Sequence, residues 1–251
     1  MKRNTLLFLS ILFCAFATVK GQSGTIEFEE VTKFEIKLEG EMAQMMKDMP
    51  KEQRSDMMLY FSPEASLFEK VIGEKPMMGG EFAHAEAGVN IMMSTPDNKV
   101  FIDLKKKDVV EQKEFMTRTF LIEDKMPEND WKITGKQKMV LDYPCMEATL
   151  TDTAGVITRA WFTPAIAVQT GPSNFCNLPG LILEVDIKDG DKKFIAKSIS
   201  LEAPDKENFK KPKEGKKVSR EEFDKIVEEK MAEMGVEKSG SGNMIMIKIK
   251  N

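Results

Sequence analysis

Apolar residues in this chain recur mostly at every second position, in short runs set off by turn residues. From Thr25 to Leu38 they fall on even positions: Ile26, Phe28, Phe34, Ile36 and Leu38. A period of two sets one face of a strand against a core. Glu30 and Thr32 interrupt that face and predict a bulge or bend. Leu59–Phe61 and Leu67–Val71 flank Ser62-Pro63-Glu64-Ala65, which predicts a hairpin. Further strands are predicted at Lys99–Leu104, Phe115–Ile122, Trp131–Thr134, Lys138–Tyr143, Met146–Thr151, Val156–Phe162, Leu181–Ile187 and Phe194–Leu201. Asp152–Gly155 and Asp189-Gly190-Asp191 read as short turns between them. Consecutive strands with short turns predict a mainly β fold with minor α, an antiparallel meander forming a curved sheet, an open barrel or a sandwich. Trp131, Trp161 and Phe162 lie within the dense strand patterns and are assigned to the core.

The C-terminal part breaks this rhythm. Residues 203–217 are rich in Lys, Glu and Pro and read as an exposed linker. Residues 219–234 read as a helix. Ser219 and Glu222 form a capping box, and Val218 and Phe223 form a hydrophobic staple. Phe223, Ile226, Val227, Met231 and Met234 make its apolar face, and Gly235 stops it. After Ser239–Gly242, the alternation of Ile245, Ile247 and Ile249 predicts a last strand returning to a sheet edge, with Lys248 and Lys250 discouraging aggregation.

The N-terminal residues carry a different message. Lys2 and Arg3 precede an apolar run from Leu6 to Ala17, and Val19-Lys20-Gly21 follows with the residues a signal peptidase site needs. Residues 1–21 therefore read as a cleaved signal peptide, and 22–251 as a single β-rich domain. The run is shorter than the ~20 residues of a membrane span, and no later apolar segment is long enough for one. The expected location is outside the cytoplasm, most simply the periplasm, with secretion or outer-membrane association as the alternatives. Removing 21 of the 251 residues leaves 230, enough to bury a real core. Lys2, Arg3 and Lys20 leave with the signal, so 34 basic residues face 41 acidic ones, a net charge of −7. That balance lacks the basic surface of a nucleic-acid binder and does not favour docking to anionic lipid.

Cys14 also leaves, and Cys145 and Cys176 remain. An even pair in an exported chain predicts a disulfide, worth roughly 3–4 kcal/mol for a loop of this length in the chain-entropy model. The chain has no G-x-S-x-G, H-E-x-x-H, P-loop or dinucleotide-binding fingerprint. Its single histidine, His84, stands in an Ala-rich stretch far from either cysteine. A Ser-His-Asp triad is possible only through His84, and paired carboxylates remain as a second hydrolytic option, since Asp and Glu are abundant. Methionine is over-represented. Met42, Met45, Met46 and Met49 are spaced as one face of a short helix, and Met57-Met58, Met77-Met78 and Met92-Met93 follow as pairs. Thioethers bind Cu(I) without losing a proton, and they also pack as adaptable apolar filler or form flexible binding faces.

The segment Gly171-Pro172-Ser173-Asn174-Phe175-Cys176-Asn177-Leu178-Pro179-Gly180-Leu181-Ile182-Leu183-Glu184 resembles the signature of the GLPGLI family, exported proteins of Gram-negative bacteria named for that hexapeptide. Gly171, Pro172, Leu178, Pro179, Gly180, Leu181 and Ile182 carry the match, while Asn177 stands where the leading glycine is expected. Trp131-Lys132-Ile133, Tyr143-Pro144-Cys145-Met146-Glu147-Ala148 and Ala160-Trp161-Phe162-Thr163 fall in the order the resemblance implies. The family implies no reaction. Physically, Pro179-Gly180 reads as a turn, Leu181-Ile182-Leu183 as the start of a buried strand, and Cys176 as a tie to the strand of Cys145. The functional alternative is that this turn lines a pocket beside Trp161. A curved sheet with a helix is also similar to periplasmic lipoprotein carriers, an analogy of fold alone. The sequence thus predicts a non-enzymatic exported protein that binds an apolar ligand or a protein partner. Cu(I) handling by the Met42–Met49 face is the alternative and hydrolysis a third.

Overall fold

The computed structural model describes residues 22–33, 52–71, 97–205, 209–233, 236–238 and 245–247. The Met42, Met45, Met46 and Met49 face, His84 and the signal segment lie outside them. Twelve strands form one sheet: β1 Gly24–Lys33, β2 Glu52–Phe61, β3 Ala65–Lys70, β4 Lys99–Asp103, β5 Asp108–Phe115, β6 Arg118–Lys125, β7 Lys132–Val140, β8 Tyr143–Thr151, β9 Ile157–Thr163, β10 Leu181–Ile187, β11 Lys192–Ser200 and β12 Lys216–Val218. Their spatial order is β12-β6-β5-β4-β3-β2-β1-β11-β10-β9-β8-β7. Two meanders, β1 to β6 and β7 to β11, are joined by the antiparallel pairing of β1 with β11. The sheet is open, because its end strands β12 and β7 do not meet.

Turn chemistry accounts for the best-read hairpins. Ser62 Oγ accepts from the Ala65 amide at 3.1 Å and closes β2–β3. Asp152 Oδ1 accepts from Ala154 and Val156, with Gly155 at φ +79°, between β8 and β9. Side-chain oxygens that satisfy turn amides hold such loops without a longer ladder. Two expected strands are differently divided. Phe115–Ile122 is a hairpin turned by Met116 and Thr117, and β7 and β8 are turned by Leu141 and Asp142. Met116 (φ +58°) and Leu141 (φ +51°) take the left-handed backbone positions that glycine or asparagine ordinarily marks.

The main core gathers Ile26, Phe28, Leu59, Phe61, Phe68, Ile102, Phe162, Val185 and Phe194 from one face of the sheet, with Ile166, Val168, Cys176 and Leu178 from the β9–β10 connection. Phe28, Phe68 and Phe194 pack edge to face in series, with ring centroids 6.0 and 5.7 Å apart. Phe162 is fully buried, whereas Trp131 and Trp161 are half-buried and pack against the core's border. The β3–β5 region is apolar on its other face too. Leu67, Phe101 and Val110 lie side by side in register, and the Phe209 ring sits 6.3 Å from Phe101. The expected exposed linker is thus exposed at most positions but anchored: Pro212 is buried, and Lys216–Val218 add a parallel strand to β6.

Helix α1, Arg220–Glu233, begins as its sequence dictates. The Ser219 amide donates to Glu222 Oε2 (2.8 Å) and the Glu222 amide to Ser219 Oγ (3.1 Å), the reciprocal capping box. Val218 and Phe223 share a small cluster with Phe120 and Ile122. Glu111, 4% exposed, ties this cluster to β5 by accepting from Arg220 and pairing with Lys113 at 2.9 Å. Glu111→Gln removes the charge that neutralises both cations. Arg220 and Lys113 retain about 30% exposure and part of their hydration. The expected loss therefore lies between the surface and buried limits, about 2 kcal/mol, read as a lower urea midpoint. An unchanged midpoint would show that the triad is ornamental.

The last strand does not return to the main sheet. β14, Ile245–Ile247, pairs with β13, Val236–Lys238, in a separate two-stranded sheet. Proximity explains this, since a short hairpin costs less loop entropy than a return across the domain. Among the described residues, no helix is long and apolar enough to cross a membrane.

Candidate functional site

The family-like segment forms a plug against the sheet. The connection from Pro164 to Gly180 has no strand of its own, yet Ile166, Val168, Thr170, Cys176 and Leu178 are all buried. Its backbone is satisfied locally and by β10. Val168 donates to the Ile166 carbonyl and Thr170 to that of Val168, each across a three-residue turn. Leu181 and Ile182 donate to the Ile166 and Thr170 carbonyls. Thr170 and Ser66 hydroxyls meet at 2.7 Å, a buried link between plug and β3. Leu181, Ile182 and Leu183 are fully buried at the start of β10, as the sequence predicts.

Each special residue of the motif has a steric or conformational reason. A Cβ at Gly180 would lie 2.2 Å from the Thr163 carbonyl oxygen, and one at Gly171 would lie 2.6 Å from Ile182 Cβ. Asn177, which replaces the expected glycine, sits at φ +70°. Asparagine tolerates that region better than other side chains. It also supplies a bond glycine lacks: Asn177 Nδ2 donates to the Pro127 carbonyl at 2.6 Å. Trp131 Nε1 donates to the Cys176 carbonyl at 2.9 Å. These two bonds fasten the 126–131 loop over the plug.

That loop borders a groove of about 570 Å³ lined by Lys107, Lys125, Met126, Glu128, Asn129, Asp130 and Asn177. Six of its seven lining residues are polar, with charges of both signs. Trp161 is not part of it, so the motif reaches a groove at Asn177 rather than beside that tryptophan.

Trp161 belongs to a second constellation. The register places Glu147, Trp161 and Glu184 side by side across β8, β9 and β10, one residue from each family-like segment. β7 lies over them. Lys138 Nζ stands 4.4 Å above the Trp161 ring and pairs with Glu184 at 2.7 Å. Thr134 Oγ1 donates to Glu147 at 2.6 Å and Lys136 pairs with the same oxygen at 3.2 Å. Burial works to raise the Glu147 carboxyl. The Thr134 and Lys136 hydrogen bonds, with the charges of Lys136 and Arg159, outweigh it and hold that carboxyl below its usual range. A general acid would need the opposite shift. The two carboxylates are engaged by β7 and read as its fastening.

The expected Cys145–Cys176 disulfide is not present in the structure, where both are buried free thiols. Cys145 Sγ donates to the Tyr143 carbonyl at 3.6 Å, on a strand that places it on the side of Glu147, whereas Cys176 belongs to the plug. Burial pushes Cys145 up to about 11, against the Val140 hydrogen bond and Lys138, and pushes Cys176 up to about 12. Neither thiol is a nucleophile at neutral pH. Iodoacetamide is expected to leave both unmodified in the folded protein and to alkylate both in urea without reductant. Two unmodified cysteines in urea would instead reveal a bond.

Of the methionine pairs, Met57 is buried in the main core and Met58 half-buried beside it, a packing role. Among the described residues, no group of His, Cys, Asp and Glu is arranged to hold a metal ion. Sequence reasoning missed both the groove and the β7 fastening. Their members come from separated segments and meet only through the plug and the strand register.

Residues 152–184 match a family described as "Protein of unknown function (Porph_ging)", a span covering β9, the plug and most of β10. No curated protein matches the chain. Two solved structures of PNGF-II, in P21 and C2 crystal forms, resemble it with TM-scores of 0.54 and 0.53 at 14% and 15% identity, over 82% of this chain. The chain spans about a third of the length of either, 33% and 32%. An uncharacterized conserved protein from Thermus thermophilus aligns over 80% of this chain and 91% of its own at 9% identity, with a TM-score of 0.40. The likeness to PNGF-II concerns the fold alone.

Proposed function

We propose that this chain is an exported, non-enzymatic binding protein of the GLPGLI group, and that it engages a protein partner through the β7–β8 hairpin. The observation that carries the reading is the exposure of that hairpin. Met139, on a strand that has one neighbour among the described residues, is 61% exposed, and Leu141, in the turn that follows, is 41% exposed. Lysines on an edge strand ordinarily repel added strands. Here Lys136 and Lys138 are held by Glu147 and Glu184, which leaves the edge less guarded. The bulge between Ile133 and Gln137, with Gly135 at φ +83°, confines any added ladder to the Gln137–Val140 side, next to Met139 and Leu141. Leu141 holds a left-handed turn position that glycine or asparagine would fill with less strain, and such local costs gather at functional sites. Strand addition with apolar anchors is a common mode of peptide recognition.

The plug shifts the balance from apolar ligand to protein partner. A carrier needs a trough, and the sheet face that would supply one is packed with Ile166, Val168, Cys176 and Leu178 of the chain itself. The test is photo-crosslinking in the exporting cell. Benzoylphenylalanine at Met139 is expected to give one discrete adduct, and the same group at exposed Glu202 none. No adduct at 139, or identical adducts at both positions, would overturn the proposal.

A further inference from the structure

The groove over the plug gathers solvent-exposed charges of both signs. Charges around it are paired: Lys105 with Glu64, Lys106 with Asp103, and Lys125 with Asp108, all within 3.5 Å. Lys107, Glu128 and Asp130 line the same groove with opposite signs, yet none has an ion pair or side-chain hydrogen bond among the described residues. They come from different elements. Lys107 occupies the β4–β5 turn with Lys125 at the end of β6 beside it, and Glu128 and Asp130 belong to the loop that follows. Opposite charges that share a cavity without touching leave space for a group carrying both.

The backbone of both walls is held before any ligand arrives. Lys107 is held at φ +56°, and its carbonyl accepts from the Met126 amide at 2.8 Å. The other wall is tied to the plug through Asn177 and Trp131, at 2.6 and 2.9 Å. A preformed site avoids the ordering cost that weakens recognition by mobile loops. The volume of about 570 Å³ falls in the range of small-molecule sites.

We infer that this groove binds a small zwitterion, of amino-acid to short-peptide size, with its carboxylate toward Lys107 and its ammonium toward Glu128 and Asp130. The Asn129 and Asn177 amides add neutral hydrogen-bonding groups to the lining, and Met126 is its one apolar side chain. The site is separate from the β7–β8 hairpin and does not depend on it.

Amide chemical-shift mapping of the ¹⁵N-labelled protein tests the inference with three probes at millimolar concentration. These are a pool of free tripeptides, the same pool N-acetylated and C-amidated, and a pool of free amino acids. The free tripeptides, the amino acids, or both are expected to shift amides at 107, 125–130 and 177, and the blocked pool none. Which free pool binds more tightly identifies the source. Lys107→Gln and Asp130→Asn are surface changes that leave the fold intact, and each is expected to weaken binding about tenfold or more. Shifts of equal size from the blocked pool, or none from either free pool, would overturn the proposal. So would loss in Lys107→Gln alone, which would reduce the site to one for anions.

Discussion

Gly180→Ala is expected to unfold the protein or to cost it several kcal/mol. The added Cβ would lie 2.2 Å from the Thr163 carbonyl oxygen, 2.7 Å from its carbon and 2.9 Å from Pro164 Cα. All three are backbone atoms, so no rotamer change relieves the clash. Gly180 also sits at φ +156°, outside the comfortable range of L side chains. The surroundings cannot yield cheaply, because Thr163 and Leu181 are fully buried and pair across β9 and β10. Overpacking a tight core costs about 1–3 kcal/mol where side chains can shift, and backbone contact with forced φ adds to that. The measurement is a urea midpoint with Gly155→Ala as control. Gly155 shares a positive φ of +79°, but a Cβ there would meet nothing within 4 Å, so it isolates the conformational cost. Equal losses for both variants would show that the close approach at Gly180 carries no weight.

How much of this architecture can be read from the chain depends on how the turns are made. Where a turn is built from proline, aspartate, serine or glycine, the strands on either side are legible, as at Ser62–Ala65 and Asp152–Gly155. The helix start is legible in full because its capping box is a local device. Where a left-handed position is filled by Lys107, Met116 or Leu141, no turn residue announces it. A hairpin then reads as one strand or as unstructured chain, and β5 goes unseen in this way. The expected exposure of residues 203–217 fails at Phe209 and Pro212 for a different reason. Isolated apolar residues in a charged stretch reveal packing only once the face they cover is known.

The candidate sites are less legible than the fold. Asn177 is visible as a departure from the family pattern, but its value lies in a backbone angle and a bond to Pro127 that no linear spacing encodes. Glu147, Trp161 and Glu184 stand in three separate family-like segments, and only the strand register brings them into one row. The alternation of Ile166, Val168 and Thr170 is a usable signal for buried extended chain. It is masked because proline and glycine bracket the segment and make it resemble a surface loop.

The plug makes a second strong expectation. Leu178→Ala should lower stability by about 2–5 kcal/mol, because Leu178 is 1% exposed and sits in the main core. For a domain of this size each kcal/mol corresponds to about 2–4 °C, so the midpoint should fall by roughly 4–20 °C. The position of Leu178 makes collapse of the resulting cavity difficult. Its carbonyl accepts from the Gly180 amide at 2.8 Å, and its neighbours Cys176 and Asn177 are anchored by Trp131 and Pro127. A cavity whose walls are pinned on both sides keeps its volume, and the cost of a truncation rises with the volume retained. Leu178→Met conserves volume and hydrophobicity and should cost less than about 1.5 kcal/mol. The pair separates a core role from a recognition role. If Leu178 contacted a ligand instead of the sheet, alanine would leave the thermal midpoint where it was and methionine and alanine would differ only in binding. Loss of stability in the alanine variant, recovered by methionine, identifies the motif as the internal packing of an open sheet.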